Sequence, residues 1–279
     1  MARAAADRAV NLGRGRRHLV VAGVPLAAVV VAALAATFFA LPLVGLLTRV
    51  PWATAWRLLT SPDAADAVRL SLVTSVAATA LALVLGVPLA WVQARVAYPG
   101  RRLVRAVTTL PMVLPPVVAG TALLAALGRR GLAGPVLDQA GVHLPFSTAA
   151  AVVAEAFVAL PFLVLTLEGA LRTCDHRLEE AARTLGAGRW RVFRRVTLPL
   201  VRPSLVSGLV LCWARALGEF GATITFAGNL RGSTQTLPLF VYAKLEGPDP
   251  GGANVVSLLL VVVCLVVLLT LRDRWLRAW

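Results

Sequence analysis

The sequence predicts an all-α membrane protein with six transmembrane helices. Hydrophobic residues make up 58% of the chain, and the mean hydropathy is +0.79. Charged residues make up only 15%, against about 25% in an ordinary soluble domain. Such a chain cannot cover its apolar surface with polar side chains, so lipid is the expected solvent. Apolar segments long enough to cross a bilayer alternate with polar loops along the whole chain.

The first predicted span covers residues 19–47 and follows a basic stretch, residues 1–18. A signal peptide would have an apolar core of about 7–15 residues, followed by a cleavage site. This run is longer than that and exceeds the about 20 residues that a helix needs to cross a membrane, so we predict a retained helix. The second span, residues 68–93, follows a loop with Trp52 and Trp56, which are typical of a membrane interface.

The third span, residues 106–127, is interrupted by Pro111, Pro115 and Pro116. Proline removes a backbone donor and kinks a helix, which lipid tolerates only where neighbouring groups satisfy the freed carbonyls. The segment is therefore either an ordinary kinked helix or a broken helix that faces protein or a cavity.

The fourth span, residues 147–171, carries two carboxylates, Glu155 and Glu168. Carboxylates inside a membrane span are functional candidates by default. Both lie near the ends of the span, where we expect that a carboxylate can reach water. Each either lines a transport pathway or has an ordinary hydrated position.

The fifth span, residues 203–225, contains Arg215 and Glu219, and the sixth covers residues 253–271. Glu219 lies about 24 Å along the fifth helix at 1.5 Å per residue, toward its outer half. Because four residues separate them, the two side chains can pair on one helix face. The pair either positions the neighbouring glycines or belongs to the pathway itself.

The basic residues predict the orientation in the membrane. If the N terminus is in the cytoplasm, most of the 28 Lys and Arg residues lie in cytoplasmic segments. This is the charge bias of membrane proteins, so we predict that both termini are cytoplasmic. The same bias accounts for the net charge of +15 without a nucleic-acid partner, and no nucleic-acid-binding motif is present in the sequence.

The sequence contains no recognisable catalytic or metal-binding pattern. The three cysteines, Cys174, Cys212 and Cys264, are not at metal-ligand spacing. Neither H-E-x-x-H nor G-x-S-x-G occurs. Lys244 is the only lysine, so the chain has no Walker A sequence for ATP. We therefore predict a non-enzymatic chain with no catalytic residues, no metal and no cofactor of its own.

A charged loop, residues 173–202, separates the fourth and fifth spans. The sequence from residue 179 to residue 203 reads EEAARTLGAGRWRVFRRVTLPLVRP. Its first half predicts a short helix with acidic residues at the positive end, and Gly186 predicts a tight turn or the close approach of another backbone. The second half predicts a helix that carries Trp190 and Phe193 on one side and ends at the Leu-Pro pair. An amphipathic helix on anionic lipid is the alternative, but it does not explain the acidic half or the glycine break.

The charged loop resembles the E-A-A-x3-G-x9-I-x-L-P signature of the permease subunits of bacterial ABC importers, with valine in place of isoleucine. The resemblance implies a type I ABC importer permease fold. It also implies that the loop is a coupling loop, which sits in a groove of a separate ATPase subunit that binds ATP and Mg. The residues implied for this coupling are Glu179, Glu180, Ala181, Ala182, Gly186, Val196, Leu198 and Pro199.

Two further segments resemble the molybdate permeases: residues 214–229, ARALGEFGATITFAGN, and residues 234–238, TQTLP. Sulfate/thiosulfate permeases are similar and have a comparable G-E-[FY]-G element. The TQTLP segment favours molybdate or its near-isostere tungstate as the transported anion. The candidate pathway or gate residues in these segments are Gly218, Glu219, Phe220, Gly221, Thr223, Gln235 and Thr236.

The resemblance implies a multi-pass permease in the inner or plasma membrane of a bacterium. Its implied partners are a second copy of the chain, a dimer of ABC ATPase subunits, an extracytoplasmic molybdate-binding protein and the lipid bilayer, with no nucleic acid. The predicted regions are a cytoplasmic tail (1–18), the first helix with an outer loop (19–64), a permease core (65–272) and a second cytoplasmic tail (273–279).

Two other functions stay open. A sulfate/thiosulfate permease would pair with a related second permease rather than with itself. A gradient-driven secondary transporter would carry more buried ionisable residues in a relay, and it gives no reason for the pattern in the charged loop.

Overall fold

The computed structural model describes residues 25–276, and the side chains of residues 268 and 270–276 fall outside that description. The predicted N-terminal tail, the start of the first span and the last three residues are therefore not described. Every regular element in the described part is a helix. The α-helices are α1 (Leu26–Arg49), α2 (Trp52–Leu59), α3 (Pro62–Arg95), α4 (Arg101–Thr109), α5 (Pro116–Leu127), α6 (Gly134–Gln139), α7 (Thr148–Thr173), α8 (His176–Thr184), α9 (Arg189–Val192), α10 (Leu198–Leu217), α11 (Gly221–Phe226), α12 (Leu237–Glu246) and α13 (Pro250–Leu276).

Five helices of the described part are long and apolar enough to cross a membrane, and a bent helix pair raises the number to six. The bent pair is Arg101–Met112 with Pro116–Leu127. The all-α membrane fold with up to six spans is thus confirmed, while the orientation in the membrane stays a prediction.

The chain divides into two compact units, Met1–Thr48 and Arg49–Trp279. In the first unit the described part is α1 up to Thr48, and none of its side chains is buried. The second unit contains the core. There α3 packs along α7, and α10 packs against both.

Small side chains fill the contact between α3, α7 and α10. Ala78 and Ala82 of α3 meet Ala156 and Ala159 of α7, and Cys212 of α10 closes the same cluster. Small residues allow helix backbones to approach closely, which is how transmembrane helices associate where water provides no driving force. This alanine-rich contact makes the three helices one packed group.

Helix α3 begins six residues before the predicted second span. Ser61 is the N-cap, and its hydroxyl accepts a hydrogen bond from the backbone N–H of Ala64 at 3.3 Å. Pro62 occupies the first helical position, where a missing N–H has no cost. Ala64 and Ala67 of the added turns are buried, so the extension belongs to the core rather than to a loop.

The third span is broken rather than simply kinked. Helix α4 continues into a 3-10 turn, Leu110–Met112, and α5 starts at Pro116 after a bend of 119°. Helix α5 packs against α7 and α11. The broken-helix alternative is therefore confirmed, and the broken segment faces protein on one side.

The fifth span differs from its prediction at its outer end. Helix α10 ends at Leu217, and α11 is a separate short helix, so residues 203–225 do not form one helix. The side chain of Glu219 accepts a hydrogen bond from the backbone N–H of Ala222 at 2.8 Å and so caps α11. The prediction that Glu219 lies within the fifth helix is therefore wrong. The residue follows the end of that helix, and its carboxylate caps the next one.

The predicted helix end at Leu198-Pro199 is wrong. Helices α9 and α10 are continuous through a π turn, Phe193–Thr197, in which the N–H of Leu198 bonds to the carbonyl of Phe193. Proline has no N–H for the ordinary helical bond. The wider π turn absorbs this defect and lets the helix continue.

Candidate functional site

The charged loop folds as helix, glycine turn and helix, as its sequence predicts. Helix α8 starts after Asp175, whose carboxylate accepts a hydrogen bond from the N–H of Arg177 at 2.9 Å. Gly186 has φ of 80°, and its N–H bonds to the carbonyl of Arg183 while the N–H of Ala187 bonds to that of Ala182. These two bonds form a Schellman motif, which requires the left-handed conformation that glycine adopts most easily.

Glu179 of α8 points into the protein and is 4% exposed. One carboxylate oxygen, Oε1, accepts hydrogen bonds from Nη2 of Arg95 at 3.0 Å and from Oγ1 of Thr197 at 2.7 Å. The other oxygen, Oε2, lies 3.8 Å from Nη2 of Arg183. Arg95 ends α3 and Thr197 belongs to the π turn, so one carboxylate contacts three elements.

Aromatic side chains add a second contact between the charged loop and α3. Phe193 lies 5.1 Å from Trp91 in an edge-to-face arrangement and 5.4 Å from Trp190 in a stacked one. The Arg95 guanidinium lies over the Trp91 ring at 5.7 Å. The prediction that Trp190 and Phe193 share one side is confirmed, and the stack joins the second half of the loop to α3.

The opposite side of the charged loop is exposed and partly apolar. Leu185 is 87% exposed and Leu178 is 48% exposed. With the exposed Ala181 these residues follow the i, i+3, i+7 spacing of one helix face. We call Leu178, Ala181 and Leu185 the exposed apolar face. Its spacing was readable in the sequence, although the signature that identified the loop contains only Ala181.

The residues implied for coupling thus divide between two environments. Glu179 is buried, whereas the others are exposed or half-buried. The exposed residues are Glu180, Ala181, Gly186 and Pro199, and the half-buried ones are Ala182, Val196 and Leu198. Their role in coupling stays a prediction. Arg95 and Thr197 were not predicted as site residues, because nothing in their local sequence indicates a partner that is distant along the chain.

The second candidate site surrounds Glu219, which is 1% exposed. Its Oε2 lies 2.7 Å from Nη2 of Arg215, so the predicted pair is present. Its Oε1 accepts the hydrogen bond from the N–H of Ala222 that caps α11. With both oxygens engaged inside the protein, the contacts favour the alternative in which the pair positions the glycine-flanked turn.

Glycines let α5 and α11 approach each other closely. A methyl group at Gly221 would lie 2.4 Å from Cβ of Pro116, and one at Gly120 would lie 2.6 Å from Cβ of Thr225. Neither distance is possible between carbon atoms that are not bonded. The G-E-F-G-A-T element therefore packs directly on the broken third span.

The remaining predicted pathway residues occupy several environments. Gln235 is buried and donates a hydrogen bond to Asn229 at 2.8 Å, and Phe220 is half-buried beside Tyr242 at 5.1 Å. The buried hydroxyls of Thr223 and Thr236 have no hydrogen-bond partner among the described residues. Gly218 is exposed, and Gly221 is buried. A pathway role for these residues stays a prediction.

The two carboxylates of the fourth span are both buried in the protein, so the expectation that they reach water is wrong for this chain. Glu155 accepts a hydrogen bond from Oγ1 of Thr74 in α3 at 2.8 Å. Glu168 forms ion pairs with Arg105 of α4 and with Arg172, the latter at 3.0 Å. Because helices pack on both sides of α7, a position near the end of this span does not reach solvent.

The described residues contain no cluster of three or more His, Cys, Asp or Glu side chains that could hold a metal ion. The two candidate sites are therefore a charged loop and a buried polar cluster.

Both sites lie within residues 82–278, which match the profile of a family described as "Binding-protein-dependent transport system inner membrane component". The chain belongs to this family.

Two relatives show where this permease lies within the family. It is 51% identical over 237 residues to the "Molybdenum transport system permease protein ModB" of Mycobacterium tuberculosis, covering 85% of this chain and 89% of the relative. It is 34% identical over 232 residues to the "Sulfate transport system permease protein CysT" of Escherichia coli, covering 82% and 84%. The predicted membership of the molybdate permease family, with sulfate permeases as more distant relatives, is confirmed.

A solved structure supports the fold of the permease. The chain aligns with a bacterial ABC transporter that imports the acidic polysaccharide alginate, with a TM-score of 0.70, 20% identity and coverage of 90% of this chain and 95% of the other. The type I ABC importer permease fold is thus confirmed. The family match, the molybdenum permease relatives and the apolar helices identify a multi-pass membrane protein of an ABC transporter.

Proposed function

We propose that this permease is the transmembrane subunit of an ATP-driven importer for molybdate or tungstate. The observation that carries the proposal is the charged loop, whose first helix has an exposed apolar face and a buried carboxylate on its other side. An apolar face on an exposed short helix is typical of a surface that binds another protein. The partner would be a separate ATPase subunit, because this chain has no Walker A sequence of its own.

The charged loop would lie in the cytoplasm and act as the coupling loop. ATP and Mg bind to two ATPase subunits, and their closure moves two copies of this loop. Two copies of the chain would form the pathway along a two-fold axis. Movement of the loops would then open the pathway to one side of the membrane at a time, without catalysis by the permease.

Molybdate is supported by the difference between 51% identity to the mycobacterial molybdenum permease and 34% identity to the sulfate permease. Arg215 is already paired with Glu219, so that guanidinium is not free to hold an anion tightly. A weak transit site suits an importer, because the anion has to leave again. An extracytoplasmic molybdate-binding protein would then provide the specificity.

Reconstitution tests the proposal directly. The purified chain alone is expected to show neither ATP hydrolysis nor uptake, and both should appear when the ATPase and the binding protein are added. Uptake of labelled molybdate and of labelled sulfate is then compared in a strain that lacks its own transporter. Restored uptake of sulfate but not of molybdate would overturn the substrate assignment. Uptake driven by an ion gradient without ATP would overturn the ABC mechanism.

A further inference from the structure

We propose that Glu179 is the positioning residue that joins α8, the first helix of the coupling loop, to α3 and to the π turn that continues into α10, so that these elements move together when the ATPase subunits close. Glu179 precedes the E-A-A signature and is not part of it. The proposal rests on the proposed function, because it assigns the contact through which the loop transmits its movement.

Glu179 is the one buried residue among the nine residues of α8. Its carboxylate is therefore the buried polar contact between this helix and the rest of the protein, beside an exposed contact of His176 with Arg95 at 2.9 Å. A cavity of about 430 Å³ lies beside it, lined by residues that include Trp91, Arg183 and Phe193. Because this cavity lies between α8, the end of α3 and the second half of the charged loop, the hydrogen bonds of the carboxylate provide the buried contact on this side of α8.

The contacts of Glu179 lead to the two helices that have to move. Arg95 is the last residue of α3, and its side chain is 11% exposed. Thr197 is fully buried and belongs to the π turn that continues into α10. Both donate to the same carboxylate oxygen, at 3.0 Å and 2.7 Å. Charge-assisted hydrogen bonds of this kind are stronger than neutral ones, and burial protects them from salt.

Removal of the charge should separate binding of the ATPase from transmission of its movement. Glu179→Gln keeps the size of the side chain but leaves Arg95, whose side chain is only 11% exposed, without its ion-pair partner, which is unfavourable. The exposed apolar face, Leu178, Ala181 and Leu185, points the other way and stays available to the ATPase. The variant should therefore assemble and hydrolyse ATP, while α8 moves without carrying α3 and α10 with it.

The test uses the complete complex in proteoliposomes, with the ATPase and the molybdate-binding protein present. We expect Glu179→Gln to co-purify with the ATPase and to hydrolyse ATP at the wild-type rate or faster. Molybdate transported per ATP should fall about 5-fold or more, the lower end of the usual range for coupling between sites. Glu246→Gln makes the same chemical change at an exposed residue outside the loop, and we expect the wild-type ratio there.

A distance measurement separates a positioning role from a loss of stability. Spin labels at Arg177→Cys in α8 and Val92→Cys in α3, both exposed positions, are introduced after replacement of the three native cysteines. In the otherwise wild-type chain the distance between the labels should be the same with and without ATP, because the two helices move together. With Glu179→Gln the distance distribution should broaden or shift when ATP binds.

A wild-type ratio of transport to hydrolysis in Glu179→Gln would overturn the proposal, as would a label distance that Glu179→Gln does not change. If this variant does not accumulate in the membrane, Thr197→Val is measured in the same way, because it removes the second donor to the same oxygen. A wild-type ratio of transport to hydrolysis in Thr197→Val would also overturn the proposal. Failure of the proposed function is recognised separately, because the wild-type complex itself would then not couple ATP to molybdate uptake.

Discussion

Substitution of Gly120 by alanine tests the contact between the broken third span and the G-E-F-G-A-T element. The added methyl group would lie 2.6 Å from Cβ of Thr225 and 2.9 Å from the carbonyl oxygen of Ala222. Carbon atoms in contact are about 3.5–4.0 Å apart, so α5 and α11 would have to separate by roughly 1 Å. Overpacking of this kind costs about 1–3 kcal/mol.

The assay is thermal unfolding of the purified chain in detergent, with Cys174 and Cys264 replaced in every variant, followed by a thiol-reactive dye that reports exposure of the buried Cys212. At about 2–4 °C per kcal/mol for a chain of this size, Gly120→Ala should lower the Tm by roughly 2–12 °C. Gly169→Ala in α7 is the matched control, because no atom lies within 4 Å of its added methyl group. That variant should keep the wild-type Tm or raise it slightly, since alanine restricts the unfolded chain. Equal Tm values for the two variants, at the same heating rate, would refute the packing of α5 on α11.

Three further predictions use the same unfolding assay. Glu219→Gln breaks a buried ion pair and weakens the cap of α11. Because the partner Arg215 is 30% exposed and can rehydrate, we expect the free energy of unfolding to fall by about 3 kcal/mol or less. A wild-type Tm would contradict the capping role of Glu219. Gly186→Ala meets no atom within 4 Å but has φ of +80°, so the left-handed backbone alone should cost about 1–2 kcal/mol, and an unchanged Tm would show that the turn adopts another conformation. The N–H of Gly252, and then Lys244, hold the pKa of Asp249 below its ordinary value. The ionised Asp249 therefore stabilises the fold at pH values above its ordinary pKa, and this contribution is lost as the pH falls through the lowered pKa. Below about pH 4 the Tm of the wild-type chain should accordingly fall more than the Tm of Asp249→Asn. Parallel curves of Tm against pH for the two chains would contradict the assignment.

The apolar spans and the helix–glycine–helix form of the charged loop were predictable because both depend on local sequence. Runs of apolar residues determine which segments enter lipid. The Schellman turn at Gly186 requires only the residues on either side of it. Predictions of this kind hold wherever neighbouring residues alone decide the conformation.

The ends of the fifth span were not predictable because distant residues determine them. The break after Leu217 depends on Glu219 capping α11 and on Gly221 packing against Pro116, which is more than 100 residues earlier in the chain. The inner end continues through Pro199 because a π turn absorbs its missing N–H. Local pattern indicated a helix up to residue 225 and a stop at the proline, and both were wrong for these reasons.

The partner of Glu179 illustrates the same limit. Arg95 belongs to a basic turn 84 residues earlier, and its neighbours indicate only a membrane-flanking position. The signature of the loop draws attention to Glu180, whereas the buried contact belongs to the preceding residue. Only the packing of α8 against the end of α3 reveals which of the two adjacent glutamates faces the protein.

The two candidate sites lie at opposite ends of one continuous helix. From Arg189 to Leu217 the chain is helical for 29 residues through the π turn, which is about 44 Å at 1.5 Å per residue. Its first end belongs to the charged loop, and its second end leads into Glu219 and α11, which packs on the broken third span. A displacement of the loop would therefore reach the G-E-F-G-A-T turn without passing through a flexible segment. We expect the movement to change direction at this turn, because there the helix ends and a close contact with another span begins.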